Sequence, residues 1–186
     1  IKAVVGGIGE KSGPNINNRA KRAKRSPGSC IKPISSYGYA VENDLITWST
    51  VFINQPVSEI IDKETGQMRT WPYNYNSKSY DYAGYFTFQA LQRSLNTVPA
   101  YLVQLETPQA VFDFLQNRFQ FTTLTASDAD LAPMSVGALT YGMTLKELVA
   151  AYQVFGNGGK YYSPASYTQV LDSNGKVILQ HKYTPI

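Results

Sequence analysis

Two short groups of residues in this sequence could carry nucleophilic catalysis, and the first is Ser29 with Lys32. These two residues are three positions apart and follow the turn-forming pair Pro27-Gly28. If a helix begins at Ser29, the two side chains share a face and the lysine nitrogen can reach the hydroxyl. A serine hydroxyl needs a neighbour that removes its proton, and lysine can do so only when burial or nearby positive charge lowers its pKa. The spacing therefore suggests a serine nucleophile with a lysine base.

The second group is Ser94-Leu95-Asn96, at the end of a predicted helix. Its serine could relay a proton, and its asparagine amide could hold a lysine and a substrate carbonyl in one cleft. A simpler, structural interpretation exists for both groups. Ser29 could cap a helix while Lys32 points to solvent, and the asparagine could cap the following helix. Each group taken alone leaves both interpretations open, whereas the two together favour catalysis.

The composition excludes several other kinds of site. The 186 residues are 43% hydrophobic, which suits one globular domain, and no apolar run reaches the roughly 18 residues of a membrane span. Cys30 is the only cysteine and His181 the only histidine, so disulfides within the chain, Cys-rich zinc sites and His-based metal clusters are excluded. Five basic residues fall within positions 19–25 without interleaved aromatic residues. We therefore expect a solvated segment there and no nucleic-acid site.

The elements that must position the two groups are mostly helical in the middle of the chain and extended on either side. Apolar spacing predicts helices at 29–41, 87–93, 99–119 (divided near Pro108) and 144–155, the last opened by a Thr144–Glu147 capping box. Strands are predicted at 1–5, at 57–61 with 67–70, and at 167–171 with 176–180. The Tyr/Asn-rich stretch 71–85 is typical of a loop that could wall a peptide groove. This order indicates a mixed α+β fold.

Segments spread over nearly the whole chain resemble the transpeptidase domain of class A, bifunctional penicillin-binding proteins. The family's nucleophile segment, Arg-x-Pro-Gly-Ser-x-x-Lys-Pro, resembles residues 25–33, and its Ala-Leu-x-x-Ser-x-Asn motif matches residues 90–96. Further matches are Ala3-Val4-Val5-Gly6-Gly7, Asn18-Arg19-Ala20, Trp71-Pro72-Tyr73-Asn74-Tyr75 and the helix at 144–159 that ends in Asn-Gly-Gly. The resemblance implies the α+β fold of penicillin-binding proteins and serine β-lactamases, an antiparallel sheet with a mostly helical subdomain.

The resemblance also implies a function. Ser29 would attack the carbonyl between the two terminal D-alanines of a peptidoglycan stem peptide, with Lys32 as its base. Ser94 would relay a proton to the leaving D-alanine, and Asn96 would position the lysine and a substrate amide. An amine of a neighbouring stem peptide would then attack the acyl-enzyme and form a cross-link. β-Lactam antibiotics would acylate the same serine, and no metal or organic cofactor is required.

Two departures from the family pattern stand out. Cys30 occupies a position where the family commonly has a second serine, and we predict that it is a small packing residue on a different face from Lys32. The family's Lys-Thr-Gly motif does not occur in the sequence. Lys63-Glu64-Thr65-Gly66 resembles it but contains an inserted glutamate, so it does not match. We therefore expect residues 1–186 to be the N-terminal and central part of a single transpeptidase domain that is inactive without its Lys-Thr-Gly strand, which another chain or segment would supply.

Two other functions stay open. A D,D-carboxypeptidase or β-lactamase of the same fold would pass the acyl group to water, and a catalytically silent domain would only bind peptidoglycan or a protein partner. The class A matches at 18–20 and at the Asn-Gly-Gly helix end argue against the first. Four intact site residues argue against the second. The family further implies a location at the extracytoplasmic face of the bacterial membrane, through an upstream anchoring segment.

Overall fold

The computed structural model describes residues 9–10, 13, 22–75 and 79–186. Within them the helices are α1 (Ser36–Glu42), α2 (Thr87–Gln92), α3 (Thr97–Glu106), α4 (Pro108–Phe119), α5 (Leu131–Val136) and α6 (Leu145–Tyr152). The strands are β1 (Lys24–Arg25), β2 (Val51–Ile53), β3 (Ser58–Ile61), β4 (Met68–Trp71), β5 (Gly84–Phe86), β6 (Met143–Thr144), β7 (Gln169–Leu171) and β8 (Val177–Gln180). Three 3-10 helices lie at Gly28–Ile31, Ala126–Asp128 and Gln153–Gly156. The strand predicted at 1–5 and the matching segment at 18–20 lie outside the described residues.

The strands in the described residues form four antiparallel pairs: β1 with β6, β2 with β5, β3 with β4, and β7 with β8. The predicted pairing of 57–61 with 67–70 is confirmed, with Ser58 opposite Trp71. The hairpin predicted around 172–175 is also confirmed, with Gln169 opposite Gln180. The sequence did not reveal the other two pairs, because their strands are only two or three residues long and come from distant parts of the chain.

The long helical stretch is divided where the sequence indicated. α3 ends at Glu106 and α4 begins at Pro108, which lacks the N–H that a residue inside a helix would donate. Thr107 lies between them with a φ of 73°, and its side chain accepts a hydrogen bond from the Ala110 amide at 3.3 Å. α3 packs against both α1 and α5, so it occupies the centre of the helical part. None of these helices, within the part of the chain that is described, is long and apolar enough to cross a membrane.

The start of α6 is capped as predicted. The Glu147 amide donates to Thr144 Oγ1 at 3.2 Å, and the Thr144 amide donates back to the Glu147 carboxylate at 3.1 Å. The same carboxylate accepts hydrogen bonds from the amide and the hydroxyl of Thr122, each at 2.8 Å. Glu147 therefore both caps α6 and fixes the segment that follows α4.

The helix predicted from Ser29 onward is interrupted. Gly28–Ile31 form a 3-10 helix, a turn follows, and α1 begins only at Ser36. Pro33 explains the interruption, because it has no N–H with which to make the α-helical bond to the Ser29 carbonyl. The Lys32 amide donates to that carbonyl instead, at 3.3 Å. Ser29 and Lys32 consequently lie one tight turn apart.

Two clusters of buried side chains hold this segment in place. Ile31 and Ile34 belong to the larger cluster, which also contains residues of α4, α5 and α6. Tyr37 and Ala40 belong to the second, together with residues of α2, α3 and β2. Residues 31–40 therefore contribute to both cores, and this packing fixes the chain that carries Lys32.

Candidate active site

The chain leading into Ser29 is anchored by the segment 137–144. β1 pairs with β6 so that Arg25 lies opposite Met143. Ser26 Oγ donates a hydrogen bond to the Leu139 carbonyl at 3.2 Å. Ser29 itself is exposed, within the 3-10 helix that follows. The proposed nucleophile is thus held through the backbone that precedes it and remains open to solvent and substrate.

Two glycines make this close approach possible. Gly137 has a φ of +75°, and a Cβ at this position would lie 2.3 Å from the Gly28 carbonyl oxygen. Gly142 has a φ of +72°, and its Cβ would lie 2.3 Å from the Arg25 carbonyl carbon. Any side chain at either position would both strain the backbone and push into the segment before Ser29.

Lys32 is buried, with 1% of its surface exposed, and its amine is surrounded by oxygen atoms. Nζ donates to Asn96 Oδ1 at 2.6 Å, to the Ser94 carbonyl at 2.8 Å, to Ser94 Oγ at 3.1 Å and to the Leu95 carbonyl at 3.2 Å. The structure thereby brings together three of the four predicted residues. Among the described residues, Ser29 Oγ is not one of the acceptors, although Ser29 lies on the adjacent turn. The solvent-facing interpretation of Lys32 is wrong.

Burial lowers the pKa of Lys32 from its ordinary value near 10.5 to about 8, because the charged amine is removed from water. At pH 7 roughly a tenth of such amines would be neutral. A protonated amine has three hydrogens for these oxygens, whereas a neutral one has two and a lone pair that can accept a proton. This environment therefore permits both states of a general base near neutral pH.

Asn96 lies at the N-terminal cap position of α3 but does not cap it with its side chain. Its Oδ1 accepts from Lys32, and its Nδ2 donates to the Tyr73 carbonyl at 2.6 Å. Its backbone N–H donates to Asn74 Oδ1 at 2.8 Å. The simple capping interpretation is therefore wrong, and the amide is oriented with its oxygen toward the lysine.

Ser94 adopts a left-handed backbone conformation, with a φ of 53°, two residues after the end of α2. Such a conformation costs a residue other than glycine about 1 kcal/mol. In it, both the carbonyl and the hydroxyl of Ser94 contact the Lys32 amine. The turn thus directs two oxygen atoms of one residue at the same nitrogen.

Sequence reasoning missed two contributors and misjudged a third residue. Tyr73 and Asn74 hold Asn96, although in the sequence only their place in a family-like segment distinguishes them. Cys30 was expected to pack inside, but it is exposed. Its carbonyl accepts a hydrogen bond from the Tyr152 hydroxyl at 2.7 Å, which ties α6 to the nucleophile segment.

Glu106 is a second buried titratable residue with a displaced pKa, but it is not part of this site. Burial raises its pKa to about 8, and both carboxylate oxygens lack a hydrogen-bond partner within the described residues. Glu106 ends α3, the helix that begins just after Asn96, so the rise of the helix separates the two by about 15 Å. A displaced pKa alone does not mark this site; the partners around Lys32 do.

Comparison with known proteins assigns a family to this α+β fold and its paired motifs. Residues 5–185 match the family described as the penicillin binding protein transpeptidase domain. Penicillin-binding protein 1A of Clostridium acetobutylicum is 34% identical over 190 residues, which cover 99% of this chain and 23% of that protein. The chain belongs to the penicillin-binding protein transpeptidase family. It spans about a quarter of the length of the curated relatives it matches.

Solved structures agree with the fold. Penicillin-binding protein 1A of Haemophilus influenzae superposes with a TM-score of 0.68 at 28% identity, over 90% of this chain and 23% of that one. Penicillin-binding protein A of Mycobacterium tuberculosis, in its imipenem acyl-enzyme complex, gives a TM-score of 0.67 at 17% identity, over 91% of this chain and 41% of that one. At that identity the second likeness shows a shared fold alone. The predicted fold class is confirmed.

Proposed function

We propose that the protein is a peptidoglycan D,D-transpeptidase that acts through a serine acyl-enzyme, with Ser29, Lys32, Ser94 and Asn96 as its catalytic residues. The observation that carries the proposal is the buried Lys32 amine, held by Ser94 and Asn96 one turn after an exposed serine. Membership of the transpeptidase family supports serine acyl transfer as the reaction class.

In the first half-reaction, Ser29 Oγ forms a bond to the carbonyl carbon of the penultimate D-alanine while its proton moves to neutral Lys32 Nζ. The carbonyl oxygen becomes an oxyanion, which backbone N–H groups at the start of the 3-10 helix can stabilise. The amide C–N bond then breaks. Its nitrogen takes the proton from Lys32 through Ser94 Oγ, which lies 3.1 Å from the amine. The products are an acyl-enzyme and free D-alanine.

In the second half-reaction, an amine of a neighbouring stem peptide attacks the ester carbon. The C–O bond to Ser29 breaks, and the serine oxygen recovers a proton as the new amide forms the cross-link. A β-lactam would enter the first half-reaction alone, because its leaving nitrogen stays tethered to the acyl group and blocks the acceptor. The imipenem acyl-enzyme of the Mycobacterium tuberculosis protein supports this expectation for the shared fold.

Residues 1–186 are, in this proposal, the N-terminal and central part of one transpeptidase domain that requires a Lys-Thr-Gly strand from elsewhere. A cavity of about 270 Å³ beside α1 is lined by aromatic and aliphatic side chains, including Tyr37, Trp48 and Phe155. The hairpin of β7 and β8 exposes aliphatic side chains such as Leu171 and Ile178. Both surfaces support further packing by the remainder of the domain.

The substrate determines where such an enzyme works. Peptidoglycan lies outside the cytoplasmic membrane, so the full-length protein is proposed to act at its extracytoplasmic face, anchored through an upstream segment. Stem peptides that end in D-Ala-D-Ala and β-lactam antibiotics are its proposed ligands.

Labelling with a fluorescent penicillin tests the nucleophile in the full-length protein. Wild type is expected to form a covalent adduct that survives denaturation, and Ser29→Ala is expected to form none. Ser127→Ala is the matched control, since Ser127 is also an exposed serine in a 3-10 helix. Labelling that persists in Ser29→Ala would overturn the assignment. Absence of labelling in folded wild type would favour a silent binding domain.

A thioester donor separates transferase from hydrolase. With the donor alone, wild type is expected to release the hydrolysed acid slowly. Added D-amino acid is expected to divert the acyl group into an amide product, because an amine competes with water for the acyl-enzyme. If the acceptor leaves the product distribution unchanged, the protein is a hydrolase of the carboxypeptidase or β-lactamase type.

A further inference from the structure

The loop between β4 and β5, within the Tyr/Asn-rich stretch 71–85, contacts Asn96 at two points. The Tyr73 carbonyl accepts from the side-chain amide of Asn96 at 2.6 Å, and Asn74 Oδ1 accepts from its backbone N–H at 2.8 Å. Two consecutive loop residues therefore hold both the side chain and the backbone of one site residue. That residue is in turn the closest oxygen partner of the Lys32 amine.

The contact continues away from the site as a chain of amides. Asn74 Nδ2 donates to Asn54 Oδ1 at 2.8 Å, and Asn54 Nδ2 donates to Asp81 Oδ1 at 2.8 Å. Every hydrogen bond in the chain runs in one direction, from the Asn96 N–H toward the Asp81 carboxylate. Because a carboxylate only accepts, it fixes which end of the Asn54 amide faces it, and Asn54 then fixes Asn74.

Burial makes the orientation of the Asn54 amide energetically important. Asn54 is 4% exposed, so an oxygen or NH2 group of its amide left without a hydrogen-bond partner would destabilise the fold. Thr97 Oγ1 also donates to Asn54 Oδ1, at 2.8 Å, and Thr97 is the first residue of α3. Asn54 thus joins the loop to the helix that begins directly after Asn96.

We propose that Asn74 is a positioning residue of the active site, which holds Asn96 and through it the Lys32 amine, and that Asn54 and Asp81 set the orientation of Asn74. The inference rests on the proposed acyl-transfer function for its kinetic assay. It assigns a role to a loop that otherwise only connects β4 and β5.

The test is the rate constant for acylation by a penicillin, measured separately from the initial binding constant in the full-length protein. Asn74→Asp keeps the acceptor for the Asn96 N–H but loses the donor to Asn54. We expect acylation to slow at least about tenfold with little change in initial binding, since one partly buried hydrogen bond is replaced by two facing acceptors. Asn43→Asp is the matched control, because that exposed asparagine makes one side-chain hydrogen bond, to the Tyr39 carbonyl.

A double variant gives a sharper result. Combining Asn74→Asp with Asp81→Asn allows the side-chain amide of Asn54 to rotate by 180°. The hydrogen bonds would then run in the opposite direction, from the amide at position 81 to the new carboxylate at position 74. Each amide and carboxylate of the chain regains a partner, but the Ala83 N–H, which donates to Asp81 Oδ1 at 3.1 Å, then faces an NH2 group. We therefore expect part of the lost acylation rate to return. A merely destabilised loop would be harmed further by the second substitution. Acylation of Asn74→Asp at the wild-type rate, or a double variant no faster than the single one, would overturn the proposal.

Hydrogen exchange at the Asn96 amide tests the positioning independently of activity. In Asn74→Ala that amide loses its acceptor, and we expect its exchange to become at least about tenfold faster than in wild type. Unchanged exchange would overturn the proposal even in a protein that penicillin does not acylate. Failure of wild type to acylate, together with faster exchange in the variant, would instead overturn the proposed function alone.

Discussion

Lys32 and Ser29 lie one turn apart, yet the protein holds them in different ways. Lys32 is buried, and its position depends on oxygen atoms from the segment 94–96, more than sixty residues away in the sequence. Ser29 is exposed, and the chain before it is held by backbone contacts with the segment 137–144. The proposed base therefore depends on polar partners around its amine, whereas the proposed nucleophile depends on strand pairing and close steric fit of the backbone before it.

This difference separates the effects that substitutions should have. Changes on the Lys32 side should alter the protonation and reach of the base while the fold survives. Changes on the Ser29 side should move the nucleophile by pushing on the backbone. The two kinds of change can be compared in one assay, the rate of acylation by a penicillin in the full-length protein.

The largest expected effect is that of Lys32→Ala. Removal of the base should slow acylation by about 10²- to 10⁴-fold, the usual contribution of general base catalysis. Lys32→Arg should be no better, because a guanidinium keeps its proton at neutral pH. Stopped-flow measurement of acylation checks this, with Lys146→Ala as a control at an exposed lysine. Acylation of Lys32→Arg at near the wild-type rate would show that this lysine is not the base.

The next effect is the pH dependence of acylation. Because the pKa of Lys32 is lowered to about 8, the neutral amine should increase about fifty-fold between pH 6 and pH 8, and the rate should follow it to a plateau. Stability moves in the same direction. The folded protein binds the Lys32 proton less tightly than the unfolded chain does. Lys32 therefore contributes to the free energy of unfolding above pH 10.5, and this contribution is lost as the pH falls through about 8. An acylation rate that is independent of pH between pH 6 and pH 8 would contradict the assignment of Lys32 as the base.

A smaller effect on the acylation rate should follow from a side chain added at Gly137, beside the backbone that leads into Ser29. In Gly137→Ala the new Cβ would lie 2.3 Å from the Gly28 carbonyl oxygen, so residue 28 must shift and Ser29 with it. We expect acylation to slow by about tenfold, since small misplacements of a reacting group are expensive. Gly158→Ala is the matched control, because its φ of +72° is similar and a Cβ there meets nothing within 4 Å. Equal rates in the two variants would show that the close contact at Gly28 does not position the nucleophile.

The sequence predicted those parts of the molecule that depend on local pattern. The capping box at Thr144, the break before Pro108 and the hairpin at 172–175 all follow from neighbouring residues. The spacing of Lys32 and the Ser-x-Asn motif indicated a site, and the structure brings these groups together.

The remaining features arise from contacts between distant segments, which a single sequence does not display. Asn54 gave no signal, because its partners Asn74, Asp81 and Thr97 are between 20 and 43 residues away. Pro33 was tolerated in a predicted helix that it in fact interrupts. The spacing predicts Cys30 as a packing residue because it lies on a different face from Lys32, whereas the structure exposes it to solvent.

The most direct test of the account is peptide mapping of the penicillin adduct by mass spectrometry. The full-length protein is acylated, digested, and searched for the peptide that carries the added mass. We predict that the adduct lies on Ser29, and that Lys32→Arg yields no adduct on the same time scale. An adduct on Ser94, on Cys30 or on any other residue would contradict the assignment of Ser29 as the nucleophile served by Lys32.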